Sequence, residues 1–456
     1  MPNSFPPSSD GLSRLTEIMR QESAPPPEPP RPPVDPGIRR RRRRLTALVA
    51  GLVAVVVAGS AGGYAAWALG APVGAATIVT EAPEVELPEA AQLILSPDSV
   101  MAVSVSGGEG YLPADASGIW AMGGGDGPRP IASITKLITA LTILDAKPLA
   151  SADDPGPTIT FSRADNALYD KYYVLGATIA AMPTGSSLSL HDALEAMLVV
   201  SACNYAEAVS TWAFGSQSAF LRAARDWLAR NGLTSTTIVE PTGIDPRNTS
   251  TPADLIALGK LALANPAVAQ IVGMSSLQVP GIPVMLATNT LLSDDGVTAI
   301  TGLKTGTLEG SGSNLLFSAT LDVGLEQRLG VVGVVLGGFT RDSVNLDVQA
   351  LLRSIREGFH EVQLGEAGQR VGRYVTPWGE SAEIRLGVAT SLLTWSDTSV
   401  TSTLEVDTLT TGSEGDVVGI LTWTAGTESI RVPLQLGGDI DPPDAWWRLT
   451  HPDQLG

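Results

Sequence analysis

Apolar and polar positions follow three different patterns along the chain. Residues 45–69 carry no charged side chain, and a run of about 20 apolar residues is enough to cross a bilayer as a helix. Farther on, residues 101–105, 314–319 and 329–336 are short apolar or alternating runs. These read as strands, the last two as neighbours. The apolar run that follows Ile131 and the stretch from Ser189 or His191 to about 200 are helix-like. Residues 342–359 place Val344, Val348, Leu351, Leu352 and Ile355 at helical spacing, which predicts a helix packed on a sheet. Beyond about residue 364 short alternating runs take over, at 370–376, 382–386, 400–406, 417–423 and 430–436. Turn signals such as Gly412-Ser413-Glu414-Gly415 and Gly437-Gly438-Asp439 separate them, and together they predict a small β-sandwich.

This patterning divides the chain into five parts. Residues 1–44 are a Pro-rich tail that includes Pro25-Pro26-Pro27-Glu28-Pro29-Pro30 and ends in a run of arginines, Arg39 to Arg44. Such a composition cannot bury a core and is expected to be disordered or polyproline-like. Residues 45–69 are the candidate transmembrane helix and 70–90 an extended acidic linker. Residues 91–363 form a domain that mixes helices and strands, and 364–456 are β-rich. Trp446 and Trp447 are expected to pack against the sandwich, with no amphipathic helix at the end. The arginines before the apolar run predict a cytoplasmic N-terminus, with everything after about residue 70 on the outer side of the membrane. Tyr64 and Trp67 sit where interfacial aromatics are favoured. A cleaved signal peptide is the competing reading, disfavoured by the long leader and the long apolar run.

Charge and composition narrow the function classes. The formal net charge is -18 despite the arginine run, so the body is acidic and nucleic acid is not an expected partner. Cys203 is the only cysteine, which rules out an internal disulfide. His191, His360 and His451 are scattered, with no cysteine–histidine spacing of a zinc site; neither a metal nor a cofactor is expected. Lysine occurs only at 136, 147, 171, 260 and 304, so a lysine inside a motif carries weight.

Three stretches carry candidate chemistry. In Ile131-Ala132-Ser133-Ile134-Thr135-Lys136, a serine and a lysine stand three apart at the head of a helix-like run, on one helix face. A serine hydroxyl is a poor nucleophile near neutral pH, and a neighbouring neutral amine can activate it. In Val200-Ser201-Ala202-Cys203-Asn204, a serine falls at a break between two helices, where its hydroxyl can face a cleft. In Thr301-Gly302-Leu303-Lys304-Thr305-Gly306-Thr307, a cation, two hydroxyls and a glycine lie on a strand that a ligand can approach closely.

Ser-x-x-Lys, then Ser-x-Asn, then Lys-Thr-Gly, in this order, is the signature of penicillin-binding proteins and class A β-lactamases. The chain resembles a low-molecular-mass penicillin-binding protein of the D-alanyl-D-alanine carboxypeptidase type over roughly residues 95–360. Pro241-Thr242-Gly243-Ile244-Asp245, the helix start at 248–255 and Asn289-Thr290-Leu291-Leu292 add to the likeness. The resemblance implies an α/β (α+β) transpeptidase-like domain, here with a C-terminal β-sandwich and one N-terminal transmembrane helix. It implies peptidoglycan stem peptides as substrate and β-lactams as covalent inhibitors, with the lipid bilayer engaged through residues 45–69.

For the site, the resemblance makes Ser133 the nucleophile, Lys136 its base and Ser201 the proton relay to the leaving D-alanine. Lys304, Thr305, Gly306 and Thr307 hold the substrate's terminal carboxylate, and the backbone N–H groups of Ser133 and Thr307 form the oxyanion hole. One position departs from the pattern: aligned on Ser201, the asparagine of the second motif is replaced by Cys203. Cys203 is expected to occupy the asparagine's substrate-binding place, with Asn204 structural. Three other readings stay open: a DD-transpeptidase; a β-lactamase-like hydrolase with Glu240 as the deacylation residue, disfavoured because Val239-Glu240-Pro241-Thr242-Gly243 matches the carboxypeptidase pattern better and the membrane anchor points the same way; and a non-enzymatic wall-binding protein in which Cys203 marks lost catalysis.

Overall fold

The computed structural model describes residues 36–456; the expected tail over 1–35 lies outside the described residues. In chain order the main elements begin with helix α1 (Pro36–Gly70), strands β1 (Thr77–Thr80), β2 (Val100–Ser106) and β3 (Ala121–Gly123), and a 3-10 turn at Ala132–Ile134. A helical segment follows: α2 (Thr135–Ala146), α3 (Arg163–Val174), α4 (Leu190–Leu198), α5 (Cys203–Phe214), α6 (Gln217–Arg230), α7 (Pro252–Ala264) and α8 (Pro266–Val272). Next come β4 (Ser293–Asp294), β5 (Thr298–Leu308), β6 (Gly312–Leu321), β7 (Leu329–Gly338) and α9 (Arg341–Glu357). The remainder holds β8 (Phe359–Gly365), β9 (Arg370–Val375), β10 (Ser381–Leu386), β11 (Thr390–Trp395), β12 (Val400–Val406), β13 (Val417–Ala425), β14 (Glu428–Gly437) and α10 (Ala445–Thr450).

The chain divides into two compact units. One joins the N-terminal part up to Gly74 with residues 442–456, and the other runs from Ala75 to Asp441. In the larger unit a six-stranded antiparallel sheet has the order β4-β5-β6-β7-β2-β3. Both faces of this sheet are covered, so its central strands are nearly continuous apolar runs: Leu329 to Leu336 on β7 includes Val331, Val334 and Val335, all buried. Val334 and Leu336 join the core with helices α2, α4, α5, α6 and α7, while Val331 and Val335 join that with Val348, Leu351 and Ile355 of α9. The alternation assigns successive side chains of one strand to opposite layers. Thr340 starts α9 with a capping box shared with Ser343.

The second sheet, in the order β1-β9-β10-β14-β13-β12, packs with the β8–β11 ribbon around Trp423, Tyr374, Val371 and Leu434. This agrees with the expected sandwich but draws on residues outside the expected span. β1 lies in the stretch read as a bare linker and pairs antiparallel with β9, Thr77 opposite Val375. Its sequence, Thr-Ile-Val-Thr, is β-branched throughout and suits an edge strand, but its partner is almost 300 residues away. Residues 442–456 depart from the expectation in the opposite direction. Trp446 and Trp447 lie on α10, a short helix grouped with α1 rather than with the sandwich. Helix α1 also starts earlier than residue 45, because the arginine run is itself helical.

Candidate active site

Ser133 follows Ala132, whose φ of 47° is costly for a residue with a Cβ. The 3-10 turn then feeds directly into α2 and brings Lys136 back over the serine. Lys136 Nζ donates to Ser133 Oγ at 2.9 Å and to the carbonyl oxygen of Thr242 at 2.6 Å. Lys136 is fully buried, and the Ser133 side is partly open. Two glycines explain how the turn is reached. A Cβ on Gly243 would come 1.9 Å from Ala132 O, and one on Gly306 would lie 3.0 Å from Ser133 N. The loop at 241–245 and strand β5 therefore meet the serine's backbone where no side chain fits.

The 241–245 loop is itself tied down by Glu240. Its carboxylate accepts from Thr242 N and Oγ1 at 2.7 and 2.6 Å, from Gly243 N at 2.6 Å and from Asn248 Nδ2 at 2.8 Å. Asn248 in turn donates to Thr135 Oγ1 at 3.2 Å, linking the loop to the start of α2. Glu240 thus spends its hydrogen-bonding capacity on holding the carbonyl that receives Lys136. That arrangement leaves it poorly suited to activate a water for deacylation.

On the facing strand Lys304 is also completely buried, with a hydrogen bond to Thr305 O at 3.1 Å. Among the described residues neither Lys136 nor Lys304 has an ion-pair partner. Burial pushes the Lys304 ammonium well below the ordinary lysine range, and the charges of Lys136 and Arg341 push it further; Cys203 acts in the opposite direction. Lys136 and Lys304 are thus two buried amines with no acidic partner among the described residues. β4 pairs with β5 only at Ala299 and Ile300, and farther along β5 Gly306 runs against the backbone of Ile131 to Ser133. Thr307 at the exposed end accepts a hydrogen bond from Arg341 Nε at 3.1 Å.

The second motif stands at the break between α4 and α5. Ser201 is buried with φ 67°. The break is linked to β5 through Thr288, whose N–H donates to Val199 O at 3.0 Å and whose hydroxyl accepts from Thr305 Oγ1 at 2.8 Å. Asn204 is turned away: its side chain donates to Ala180 O at 2.8 Å and accepts from Ala180 N at 3.2 Å. Cys203 is buried at the head of α5.

Sequence reasoning missed Arg341, Thr288 and Asn248 as parts of this arrangement. All three are distant in sequence from what they hold, and only Asn248 fell within a stretch that had been singled out. His191, Asp192 and Glu195 bring potential ligand atoms within 4.8 Å of one another on the first turns of α4. His191 Nδ1 is 3.1 Å from Glu195, an ordinary i,i+4 pair away from the serine.

Residues 115–340 match the family described as D-alanyl-D-alanine carboxypeptidase. The chain is 27% identical over 261 residues to the D-alanyl-D-alanine carboxypeptidase DacD of Escherichia coli, covering 57% of this chain and 65% of that protein. It is 29% identical over 195 residues to a D-alanyl-D-alanine endopeptidase of Haemophilus influenzae, covering 42% of this chain and 63% of the relative. The chain thus spans slightly under two thirds of the length of these relatives. Penicillin-binding protein 6B of Escherichia coli shares the fold, with a TM-score of 0.51 at 20% identity over 78% of this chain and 99% of that one. The resemblance to low-molecular-mass penicillin-binding proteins, read from the motifs, therefore extends to the mixed transpeptidase domain and the sheet-rich region after it.

Proposed function

We propose that the protein is a membrane-anchored serine-type D-Ala-D-Ala carboxypeptidase acting on peptidoglycan stem peptides through an acyl-enzyme at Ser133. One observation carries the reading. Ser133 Oγ is hydrogen-bonded to Lys136, itself fixed by a backbone carbonyl, beside a second buried lysine that lacks an anion.

The substrate peptide binds alongside β5, beside Ser133. Its terminal carboxylate supplies the missing negative charge to Lys304, with the hydroxyls of Thr305 and Thr307 and the guanidinium of Arg341 around it. Lys136 takes the proton from Ser133 Oγ as the Oγ–carbon bond forms. The N–H groups of Ser133 and Thr307 receive the developing oxyanion, an interaction commonly worth about 3 kcal/mol. The carbon–nitrogen bond then breaks, and D-alanine leaves with a proton relayed through Ser201. Water attacks the ester and restores Ser133. Cys203 lines the cleft where the family places an asparagine amide. A β-lactam acylates the same serine and inhibits covalently.

Helix α1 supports the anchor: residues 40–70 are long and apolar enough to span a bilayer, with a mean hydropathy of 2.2 over an 18-residue window. The arginines at its start orient the N-terminus to the cytoplasm, and the catalytic unit faces the wall. The saturated carboxylate of Glu240 weighs against the β-lactamase reading. A fluorescent penicillin is expected to label the wild type and not Ser133→Ala. The wild type should also release D-alanine from a model pentapeptide, with an added amine acceptor separating hydrolysis from transfer. A wild type that neither labels nor turns over overturns the enzymatic reading and leaves a wall-binding protein.

A further inference from the structure

Residues 442–456 dock onto the end of α1 that lies away from the arginine run. Tyr64 Oη donates to Leu449 O at 2.8 Å, and Arg448 Nη1 donates to Ala71 O at 2.7 Å. Val73 forms a β-bridge with Leu455, and Gly456 N donates to Pro72 O at 2.9 Å. The buried residues of this end of the chain, Ala68 and Ala71, lie in the same turns. Earlier in α1 the apolar side chains are exposed, as a lipid-facing surface requires, and the hydroxyls of Thr46 and Ser60 are satisfied by the carbonyls of Arg42 and Val56 within the helix.

The docking level can be related to the bilayer by counting. A hydrocarbon core of about 30 Å takes about 20 helical residues at ~1.5 Å each. Counted from Leu45, the first residue after the arginines, the core ends near Tyr64. The contacts to α10 run from Tyr64 to Ala71, just past that boundary, in the layer where tyrosine and tryptophan are favoured. On α10 itself Trp447 is half-buried and stacked on His451, whereas Trp446 is 74% exposed. An indole so exposed on a helix that is itself held at the headgroup level has one natural environment there.

We propose that α10 lies in the outer headgroup layer of the membrane, with Trp446 as an interfacial anchor that extends the girdle of Tyr64 and Trp67. The proposal rests on the reading of α1 as a membrane span. The lipid surface is the occupant because the docked helix continues the apolar surface of α1 at its end. The charged groups of 444–454 are Asp444, Arg448 and Asp453, and Arg448 is already bound to Ala71 O. The attachment is therefore aromatic rather than electrostatic and is insensitive to salt. Its consequence is topological: the chain leaves the membrane layer before residue 75 and returns to it after 441, so the catalytic unit is tethered at both ends.

The test uses the full chain in phosphatidylcholine vesicles whose acyl chains carry bromine near the headgroup, which quenches nearby tryptophans. Trp446→Phe and Trp67→Phe are compared with wild type. The expected result is that each substitution removes a share of the quenchable emission, and that the wild-type quenching is unchanged in 1 M salt ("high salt" on the order of a 3 Å screening length). If Trp67→Phe lowers the quenching and Trp446→Phe does not, α10 is outside the lipid and this proposal fails while the span stands. If neither lowers it, the span reading fails with it. Quenching by Trp446 that disappears in salt overturns the aromatic attachment. Exposed Trp446 makes no packing contribution that its replacement by phenylalanine would remove, so loss of folding does not confound the result.

Discussion

The cleft holds two serine-bearing turns, and both contain a non-glycine residue with positive φ, Ala132 at 47° and Ser201 at 67°. They are secured in opposite ways. The first is clamped at Ser133: Gly243 and Gly306 touch its backbone, Asn248 O accepts from Ile131 N at 3.0 Å, and Lys136 holds the hydroxyl. The second is secured at its flanks. Val199 O is bound by Thr288, Cys203 N donates to Thr178 O at 2.8 Å, and Asn204 grips Ala180. Among the described residues, the Ser201 hydroxyl and the Cys203 thiol make no hydrogen bond of that kind. Such a division explains how a cysteine can stand where the family has an asparagine without loss of the fold. The framework task at that turn belongs to residue 204.

The largest effect is expected where the clamp is tightest. Gly243→Ala places a Cβ 1.9 Å from a carbonyl oxygen at φ 86°, and the loop that carries Thr242 must shift. Loss of penicillin labelling is expected, with destabilisation of more than about 3 kcal/mol. Gly306→Ala, at 2.9–3.0 Å from its neighbours, should lower the acylation rate with a smaller shift in the urea midpoint. Normal labelling of Gly243→Ala would show that the first turn is not clamped as described.

At the second turn the flank and the cleft residue should separate. Asn204→Ala removes two buried hydrogen bonds and leaves both backbone groups of Ala180 without them, an expected loss of about 2–4 kcal/mol in chemical denaturation. Cys203→Asn should leave stability nearly unchanged and raise kcat/KM for a D-Ala-D-Ala peptide by about tenfold, the worth of one added substrate hydrogen bond of about 1.4 kcal/mol. The comparison breaks if the two substitutions exchange their effects.

The first turn was readable in the sequence because its chemistry is local: Ser133 and Lys136 are three residues apart on one helix, and the apolar run after them is unmistakable. Asn204 was expected to be structural, and its side chain is indeed bonded to Ala180, since a one-residue shift at a helix start redirects a side chain. What the sequence hid is what depends on distant partners. Glu240 was disfavoured as a deacylation base by the resemblance of its surroundings to the carboxypeptidase pattern and by the membrane anchor; that its carboxylate is spent on Thr242 and Gly243 is not visible in the sequence. β1 looked like linker because its pairing strand lies at 370–375. Trp446 and Trp447 were assigned to the sandwich because they follow it in sequence, whereas hydrogen bonds from Tyr64 and Arg448 join their helix to α1. Periodicity reports which face of an element is apolar, and it carries no record of which remote element covers that face.

The smallest effect concerns the strand that faces both turns. Lys304, fully buried beside Lys136 and Arg341, titrates well below the ordinary lysine range in the folded protein. In the unfolded chain its pKa returns to about 10.4. Between these two values the unfolded state holds a proton that the folded state lacks, so stability rises with pH across that window. Below the folded pKa both states are protonated, and the cost of burying the charge is carried in full. Lys304→Met removes this term, so the difference in urea midpoint between wild type and variant should change in the wild type's favour as pH rises from neutral toward 10. Parallel curves would mean that burial does not depress this lysine. A carboxylate ligand reverses the effect by supplying the anion: its binding near neutral pH should take up a proton, seen as a binding heat that varies with the ionisation enthalpy of the buffer. The Ser133 turn needs no such partner, because Lys136 is already held between Ser133 Oγ and Thr242 O, whereas an effect of added carboxylate on the proton balance would mark Lys304 as the group that receives it.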